Sequence, residues 1–236
     1  MYTLTLDGPG KNALSSALME SVIERLRSAN GEPVLLTGAG DVFSAGLDLK
    51  EVAALDRERA ERFLGTLERM TEALFTYPGP LVACVNGHAI AGGCVMALCA
   101  DYRVLADQPK LRMGLNEVAL GVQYPPQLFA AVRHRVPPRA LERVVLEAAL
   151  YDPQTALALG LVDEVAADVH AVARRQLETL AAHPREAYVV AKRALRAGVM
   201  DVSESARRWF RDELVPSWVT PAVKERVTAV LAPRRT

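Results

Sequence analysis

Residues 81–94 read LVACVNGHAIAGGC, and this stretch decides how the chain folds. The apolar run from Leu81 to Val85 stops at Asn86-Gly87, which indicates a buried strand and not a membrane-spanning helix of about 20 apolar residues. A helical pattern begins at Gly92-Gly93 and continues to about Ala100. A glycine-rich turn between a strand and a helix is typical of α/β proteins and lets the backbone approach a ligand closely.

The segments on either side repeat this alternation of strand and helix. Alternation of apolar and polar residues predicts a strand at residues 2–6, and apolar runs predict further strands at residues 33–37 and 102–106. Helical spacing predicts one helix from Ser15 to about Asn30 and another from Arg57 to Tyr77, where Pro78 stops it. Taken alone, the alternation favours a doubly wound α/β fold with a parallel sheet and right-handed crossovers.

The second half of the chain is predicted to be mostly helical. Asp152 is expected to cap a short helix that starts with Pro153 and ends before Gly160. From residue 169 to residue 231 we expect helices only, interrupted at Pro184, Gly198, Pro216 and Pro221. We therefore expect an α/β core over residues 1–190 and a helical C-terminal extension over residues 191–236.

Composition limits the classes of partner. The 236 residues include 28 basic and 28 acidic side chains, so the zero net charge favours neither nucleic acid nor a membrane surface. Half of the residues are hydrophobic, which is enough for a sizeable core. The three cysteines form no C-x-x-C pair, so no disulfide framework or cysteine metal site is expected. The N-terminus is predicted to be a strand and not a targeting leader, and we expect a cytoplasmic protein.

Two glycine turns are candidates for binding an anion. The first lies in FSAGLDL, residues 43–49, and the second lies in NGHAIAGGC, residues 86–94. Neither matches a phosphate-binding fingerprint, but paired backbone N–H groups at such turns suit a developing oxyanion. The alternative is that the glycines only allow tight turns and close packing.

Glu117 is the carboxylate best suited to proton transfer. It lies in MGLNEVALGV, residues 113–122, where apolar surroundings raise the pKa of a glutamate toward neutrality. Alternatively, it is a solvent-facing or helix-capping residue. Asp48 and Asp101 have similar structural explanations, as a helix cap and as an acceptor of backbone hydrogen bonds. Ser44 and Cys94 lack a nucleophile elbow, and Cys94 is expected in the core.

Taken in order, these segments resemble the crotonase superfamily, also called the enoyl-CoA hydratase/isomerase family. The resemblance covers most of the chain and rests on residues 8–14, 36–38, 43–49, 86–94, 101–103, 114–117 and 156–163. It implies an α/β fold built as a spiral of ββα units, with a helical C-terminal region that supports homotrimers or dimers of trimers. This expectation replaces the doubly wound sheet.

The resemblance also implies roles for individual residues. The backbone N–H groups of Leu47 and Gly92 would form an oxyanion hole for the thioester oxygen of an acyl-CoA, and Glu117 would be the catalytic acid and base. The residues expected to bind coenzyme A or the substrate are Ala45, Gly46, Asp48, Leu49, Val95 and Asn116. Coenzyme A is part of the substrate, so neither a separate cofactor nor a metal is implied.

One departure from the family pattern favours isomerisation over hydration. Hydratases of the family use two glutamates, and Val95 stands at the first of these positions. The motifs look most like those of 3,2-trans-enoyl-CoA isomerases, which move the double bond of a 3-enoyl-CoA to the 2-position. An enoyl-CoA hydratase, another crotonase-type lyase and a non-catalytic acyl-CoA-binding protein remain alternatives. The basic clusters at Arg207-Arg208 with Arg211 and at Arg234-Arg235 are typical of solvated helix faces and a chain end, so nucleic-acid binding is not expected.

Overall fold

The computed structural model describes residues 1–232 and contains two parallel β-sheets. Their strands are β1 (Tyr2–Leu6), β2 (Val34–Gly38), β3 (Val42–Ser44), β4 (Leu81–Val85), β5 (His88–Ile90), β6 (Tyr102–Ala106), β7 (Met113–Gly114) and β8 (Glu164–Ala166). The larger sheet has the order β1-β2-β4-β6-β8, and the smaller has the order β3-β5-β7. The four strands that periodicity predicts all lie in the larger sheet.

Helices connect and cover these sheets. They are α1 (Pro9–Asn12), α2 (Ser16–Ala29), α3 (Leu49–Ala53), α4 (Arg57–Phe75), α5 (Gly92–Leu98), α6 (Glu117–Leu120), α7 (Pro126–Arg135), α8 (Pro138–Leu146), α9 (Pro153–Ala158), α10 (Val169–Ala181), α11 (Arg185–Arg196), α12 (Glu204–Trp209), α13 (Val215–Trp218) and α14 (Pro221–Leu231). Ser15 caps α2 by accepting a hydrogen bond from the Leu18 amide, and Asp152 caps α9, as the sequence predicts. None of the helices in residues 1–232 has the length and apolarity needed to cross a membrane.

The chain winds as a spiral of strand–strand–helix units. Three successive units are β2-β3-α3, β4-β5-α5 and β6-β7-α6. The first strand of each unit joins the larger sheet and the second joins the smaller one. The spiral of ββα units is therefore confirmed, and the doubly wound sheet is wrong. Because β3, β5 and β7 are parallel, the turns that follow them meet at one edge of the smaller sheet.

A continuous hydrophobic core holds the spiral together. Strands β2 and β4 are buried along their whole length, and their sequences are correspondingly apolar apart from Thr37 in β2. Helix α2 buries Leu18, Val22 and Leu26 against α4, as their helical spacing predicts. Helix α10 packs on β4 and β6.

The C-terminal region is helical, as predicted, with one difference at Pro216. This proline does not interrupt the helix, because a π-helical stretch at Phe210–Leu214 joins α12 to α13 without a break. A proline inside a helix lacks one N–H and crowds the preceding turn, and the wider π turn provides room for its ring. The expected end of the core at residue 190 falls inside α11.

Candidate active site

A cavity of about 300 Å³ opens at the carboxyl edge of the smaller sheet. Each strand of that sheet delivers one part of its wall. The turn after β3 contributes Ala45 and Leu47, the turn after β5 contributes Ala91 and Gly92, and the segment after β7 contributes Glu117. Three parts of the sequence that lie far apart are thus brought together by the spiral.

The first glycine turn is pressed against the second. Gly46 has φ +88°, and a Cβ on it would lie 2.8 Å from the carbonyl oxygen of Ile90 and 3.2 Å from Cβ of Ala91. The chain on both sides of Leu47 is fixed to Leu14, whose amide donates to Gly46 O and whose carbonyl accepts from Asp48 N. Within the described residues, the amide of Leu47 itself donates no hydrogen bond. It is therefore an available donor beside the cavity.

The second glycine turn carries backbone strain. Ala91 has φ +50° and ψ −120°, a conformation that L-residues rarely adopt, and it directly precedes the first residue of α5, Gly92. The first amide of a helix has no partner inside the helix, and Gly92 N donates to no other group in residues 1–232. A Cβ on Gly92 would lie 3.0 Å from Cδ1 of Leu14 and 3.4 Å from Cδ2 of Leu47. The two unpaired amides thus belong to residues that lie side by side.

Glu117 is the buried carboxylate of this cavity. It is the first residue of α6, only 6% exposed, and its Oε2 accepts a hydrogen bond of 2.9 Å from the Tyr124 hydroxyl. Burial raises the pKa of Glu117 to about 7, and hydrogen bonds from the backbone and from Tyr124 offset part of that effect. A carboxylate with such a pKa can both accept and return a proton near neutral pH.

The rest of the wall is almost entirely apolar. Its side chains come from both halves of the chain, and they include Val52, Leu67, Leu120, Val122, Leu128, Trp218, Val227 and Val230. Trp218 belongs to α13, and Val227 and Val230 belong to α14, so the C-terminal extension closes one side of the cavity. Among the described residues, Glu117 is the only carboxylate in the wall. The apolar wall excludes water, so the two unpaired backbone amides can stabilise an anion in this cavity.

The structure divides the nine predicted site residues into two groups. Six line the cavity: Ala45, Leu47, Leu49, Gly92, Asn116 and Glu117. Gly46, Asp48 and Val95 do not. Asp48 caps α3 by accepting from the amides of Lys50 and Glu51, which confirms its structural explanation. Val95 was expected in the cavity wall but is not part of it, because α5 places its side chain in the core with 1% exposure.

The other candidate residues have structural explanations. Cys94 is fully buried, as expected. Asp101 accepts from the amide of Leu81, but it also pairs with Lys192 and Arg196 at 2.7 Å each, which makes it the centre of a buried ionic network. In the first basic cluster, the Arg207 Nε donates to a backbone carbonyl. The pair Arg234-Arg235 lies outside the described residues.

Sequence reasoning missed Tyr124, the hydrogen-bond partner of Glu117. Its hydroxyl reaches Glu117 only because the segment after α6 turns back on itself, with Gly121 at φ +70°. The available signal was a tyrosine seven residues after the glutamate, in an otherwise apolar stretch that ends at Pro125-Pro126. Periodicity does not predict such a contact, because the segment is neither helix nor strand.

The fold and this cavity define a ββα-spiral enzyme with one buried carboxylate beside unpaired backbone donors. The family model for enoyl-CoA hydratase/isomerase matches residues 1–226. The mouse mitochondrial enoyl-CoA delta isomerase 1 is 33% identical over 205 residues, which are 84% of this chain and 71% of that protein. A probable enoyl-CoA hydratase of Mycobacterium tuberculosis is 30% identical over 209 residues, 86% of this chain and 78% of that protein.

Structural comparison gives the same result. The crystal structure of human mitochondrial delta3-delta2-enoyl-CoA isomerase superposes with a TM-score of 0.86 at 28% identity, and the match covers 97% of this chain and 92% of that one. The chain belongs to the enoyl-CoA hydratase/isomerase family, also called the crotonase superfamily, as its motifs predict. Relatives at about this identity are named as isomerases and as hydratases.

The raised pKa of Glu117 predicts a stability effect that needs no substrate. Its pKa is about 7 in the folded protein and 4.5 ordinarily, so the folded state binds more protons between these values and stability falls as pH rises through them. Glu117→Gln is therefore expected to stabilise the protein by on the order of 3 kcal/mol at pH 8 and to have little effect at pH 4.5. Urea denaturation at the two pH values measures this. Equal effects at both would contradict the raised pKa.

Proposed function

We propose that this protein is an isomerase that moves the double bond of a 3-enoyl-CoA to the 2-position. The observation that carries the proposal is that Glu117 is the only carboxylate in the described cavity wall. Hydration of a double bond requires one group to activate water and another to handle the proton at C2. A 1,3 shift of a proton needs only one group that accepts it and returns it.

The reaction follows from the positions of three groups. Glu117 removes a proton from C2, and the electron pair of that C–H bond forms the C1–C2 double bond of a dienolate while charge moves to the thioester oxygen. The unpaired amides of Leu47 and Gly92 donate to that oxygen as its charge develops. Glu117 then delivers the proton to C4, the C1–O double bond re-forms, and the remaining carbon–carbon double bond lies between C2 and C3.

The apolar wall fits the acyl part of such a substrate. Leu67, Leu120, Leu128 and their neighbours present hydrocarbon surface and few polar groups to the cavity. They keep water away from the dienolate and maintain the raised pKa of Glu117. The backbone from Ala45 to Leu49 is proposed to hold the coenzyme A portion, as in the family. No cofactor beyond the coenzyme A of the substrate is proposed, and we expect a trimer or a dimer of trimers located in the cytoplasm.

A comparison of two substrates tests the reaction type. The wild-type protein is expected to isomerise 3-hexenoyl-CoA at least about 10²-fold faster, in kcat/KM, than it hydrates crotonyl-CoA, because the described part of the cavity wall offers no second carboxylate. Both reactions are followed in one buffer by absorbance and mass. Hydration as fast as isomerisation would favour the hydratase alternative, for which the mycobacterial relative is the supporting observation. Tight thioester binding with neither reaction would favour the non-catalytic alternative.

The pKa of Glu117 sets the expected pH dependence. The glutamate must be ionised to accept a proton, so kcat/KM for isomerisation is expected to rise about tenfold per pH unit below pH 7 and to level off above it. The midpoint of this rise lies near pH 7 because burial of the carboxyl group raises its pKa. A profile that is already flat from pH 5 upward would contradict Glu117 as the base.

A further inference from the structure

We propose that Tyr124 is a positioning residue that holds one oxygen of Glu117, so that the other oxygen, Oε1, both removes and returns the proton. This inference rests on the proposed isomerase function. The hydroxyl of Tyr124 donates to Oε2 of Glu117 at 2.9 Å. A carboxylate held at one oxygen cannot rotate freely, which keeps the same basic atom facing the substrate during both steps.

The position of Tyr124 is itself fixed by three neighbours. Its ring packs against Phe129 with the centroids 5.4 Å apart, and Pro125 restricts the backbone that follows it. The preceding carbonyl, of Gln123, accepts a hydrogen bond of 3.2 Å from Nε1 of Trp218. Trp218 belongs to α13, so the helical C-terminal region supports the segment that holds the catalytic carboxylate.

Two titratable groups from different elements face Glu117. Tyr124 approaches from the segment after α6, and the Cys94 thiol approaches from α5. Burial raises the pKa of both groups above the neutral range, so both stay protonated at pH 7. Glu117 is then the only one of the three that changes charge there. The tyrosine acts as a fixed hydrogen-bond donor and not as a second acid.

Tyr124→Phe tests this role because it removes the hydroxyl and keeps the ring that packs on Phe129. A hydrogen bond to a carboxylate favours its charged form, so the variant is expected to raise the pKa of Glu117 by about one unit. The acid limb of kcat/KM should shift upward by the same amount, which is a loss of about tenfold at pH 6 with nearly complete recovery at pH 9. The share of a deuterium label moved from C2 to C4 within one molecule should also fall.

Tyr102→Phe is a matched control. The Tyr102 hydroxyl also donates to a glutamate, Glu164 Oε2, at 3.3 Å, but this pair lies outside the cavity wall. The control is expected to leave both the pH profile and the label transfer unchanged. If Tyr124→Phe lowers kcat/KM equally at every pH and leaves label transfer unchanged, the residue is only structural and the inference is wrong.

A second measurement separates failure of this inference from failure of the proposed function. The Glu117 carboxyl is titrated by ¹³C NMR in protein labelled at the glutamate side-chain carboxyl, with the signal assigned by its absence from Glu117→Gln. This readout needs no turnover. An upward shift in Tyr124→Phe supports the hydrogen bond even if the wild type does not isomerise 3-enoyl-CoA, whereas an unchanged pKa overturns the inference whatever the reaction.

Discussion

Replacing Glu117 by glutamine is expected to lower isomerisation of a 3-enoyl-CoA by about 10³-fold or more, while affinity for the thioester changes only a few-fold. Glutamine keeps the shape of the side chain and can still accept the hydrogen bond from Tyr124. It cannot accept a proton from C2. The expected loss is therefore in kcat, which steady-state kinetics at pH 8 and equilibrium binding of the substrate thioester measure separately.

Glu164→Gln provides the matched control for this variant. Glu164 also accepts a hydrogen bond from a tyrosine, but it lies on β8 in the larger sheet and not in the cavity wall. Its replacement is expected to leave kcat unchanged. Near-wild-type turnover by Glu117→Gln would show that another group is the base, and the single-carboxylate mechanism would then be wrong.

Four strands of the larger sheet, β1, β2, β4 and β6, could be predicted from sequence, because β1 alternates apolar and polar residues and the other three are mainly apolar runs. The smaller sheet could not, since β5 has three residues and β7 has two. Strands this short show no periodicity. The strands of the smaller sheet nevertheless position the site, because they bring the segments that contain Leu47, Gly92 and Glu117 to one edge of that sheet. The residues of the site could therefore be identified one by one from the sequence. The resemblance predicts that they form one site, and the spiral fold brings them to one cavity.

The character of Glu117 was predictable for a local reason. Its neighbours Leu115, Val118 and Leu120 are apolar, and in the structure the Glu117 side chain is buried, which raises its pKa as this setting indicates. The placement of Val95 was wrong for the opposite reason. The side chain three residues after Gly92 turns into the core or into the cavity according to how α5 is rotated, and sequence does not determine that rotation.

The contribution of the C-terminal helices to the cavity could not be predicted from the sequence either. Trp218 and Val227 look like ordinary core positions of a helical extension. The π-helical stretch leads directly into α13, and Trp218 and Val227 line the same cavity as Glu117, from which they are more than 100 residues away in sequence. Such a contact depends on the packing of whole helices, so only the folded chain reveals it.

Removing the amide of Gly92 is expected to have the second largest effect on turnover. Gly92→Pro deletes this N–H, and loss of one oxyanion donor lowers kcat by about 10²–10³-fold. Proline is tolerated at the first position of a helix, where the amide has no helical partner. Gly92→Ala is the comparison variant, because it keeps the N–H and adds a Cβ that meets only the flexible ends of Leu14 and Leu47, at 3.0 and 3.4 Å.

The difference between the two variants measures the contribution of the donor. Alanine is expected to cost roughly tenfold at most, since a flexible leucine end can shift by a few tenths of an ångström, whereas proline removes a bond that strengthens as charge reaches the thioester oxygen. Infrared spectra of a bound thioester give an independent readout, because a carbonyl that accepts fewer hydrogen bonds stretches at higher frequency. Because Ala91 is strained at φ +50°, circular dichroism must show that Gly92→Pro is folded. A folded, fully active Gly92→Pro, or an unshifted carbonyl band, would remove Gly92 from the oxyanion hole and leave Glu117 as the base.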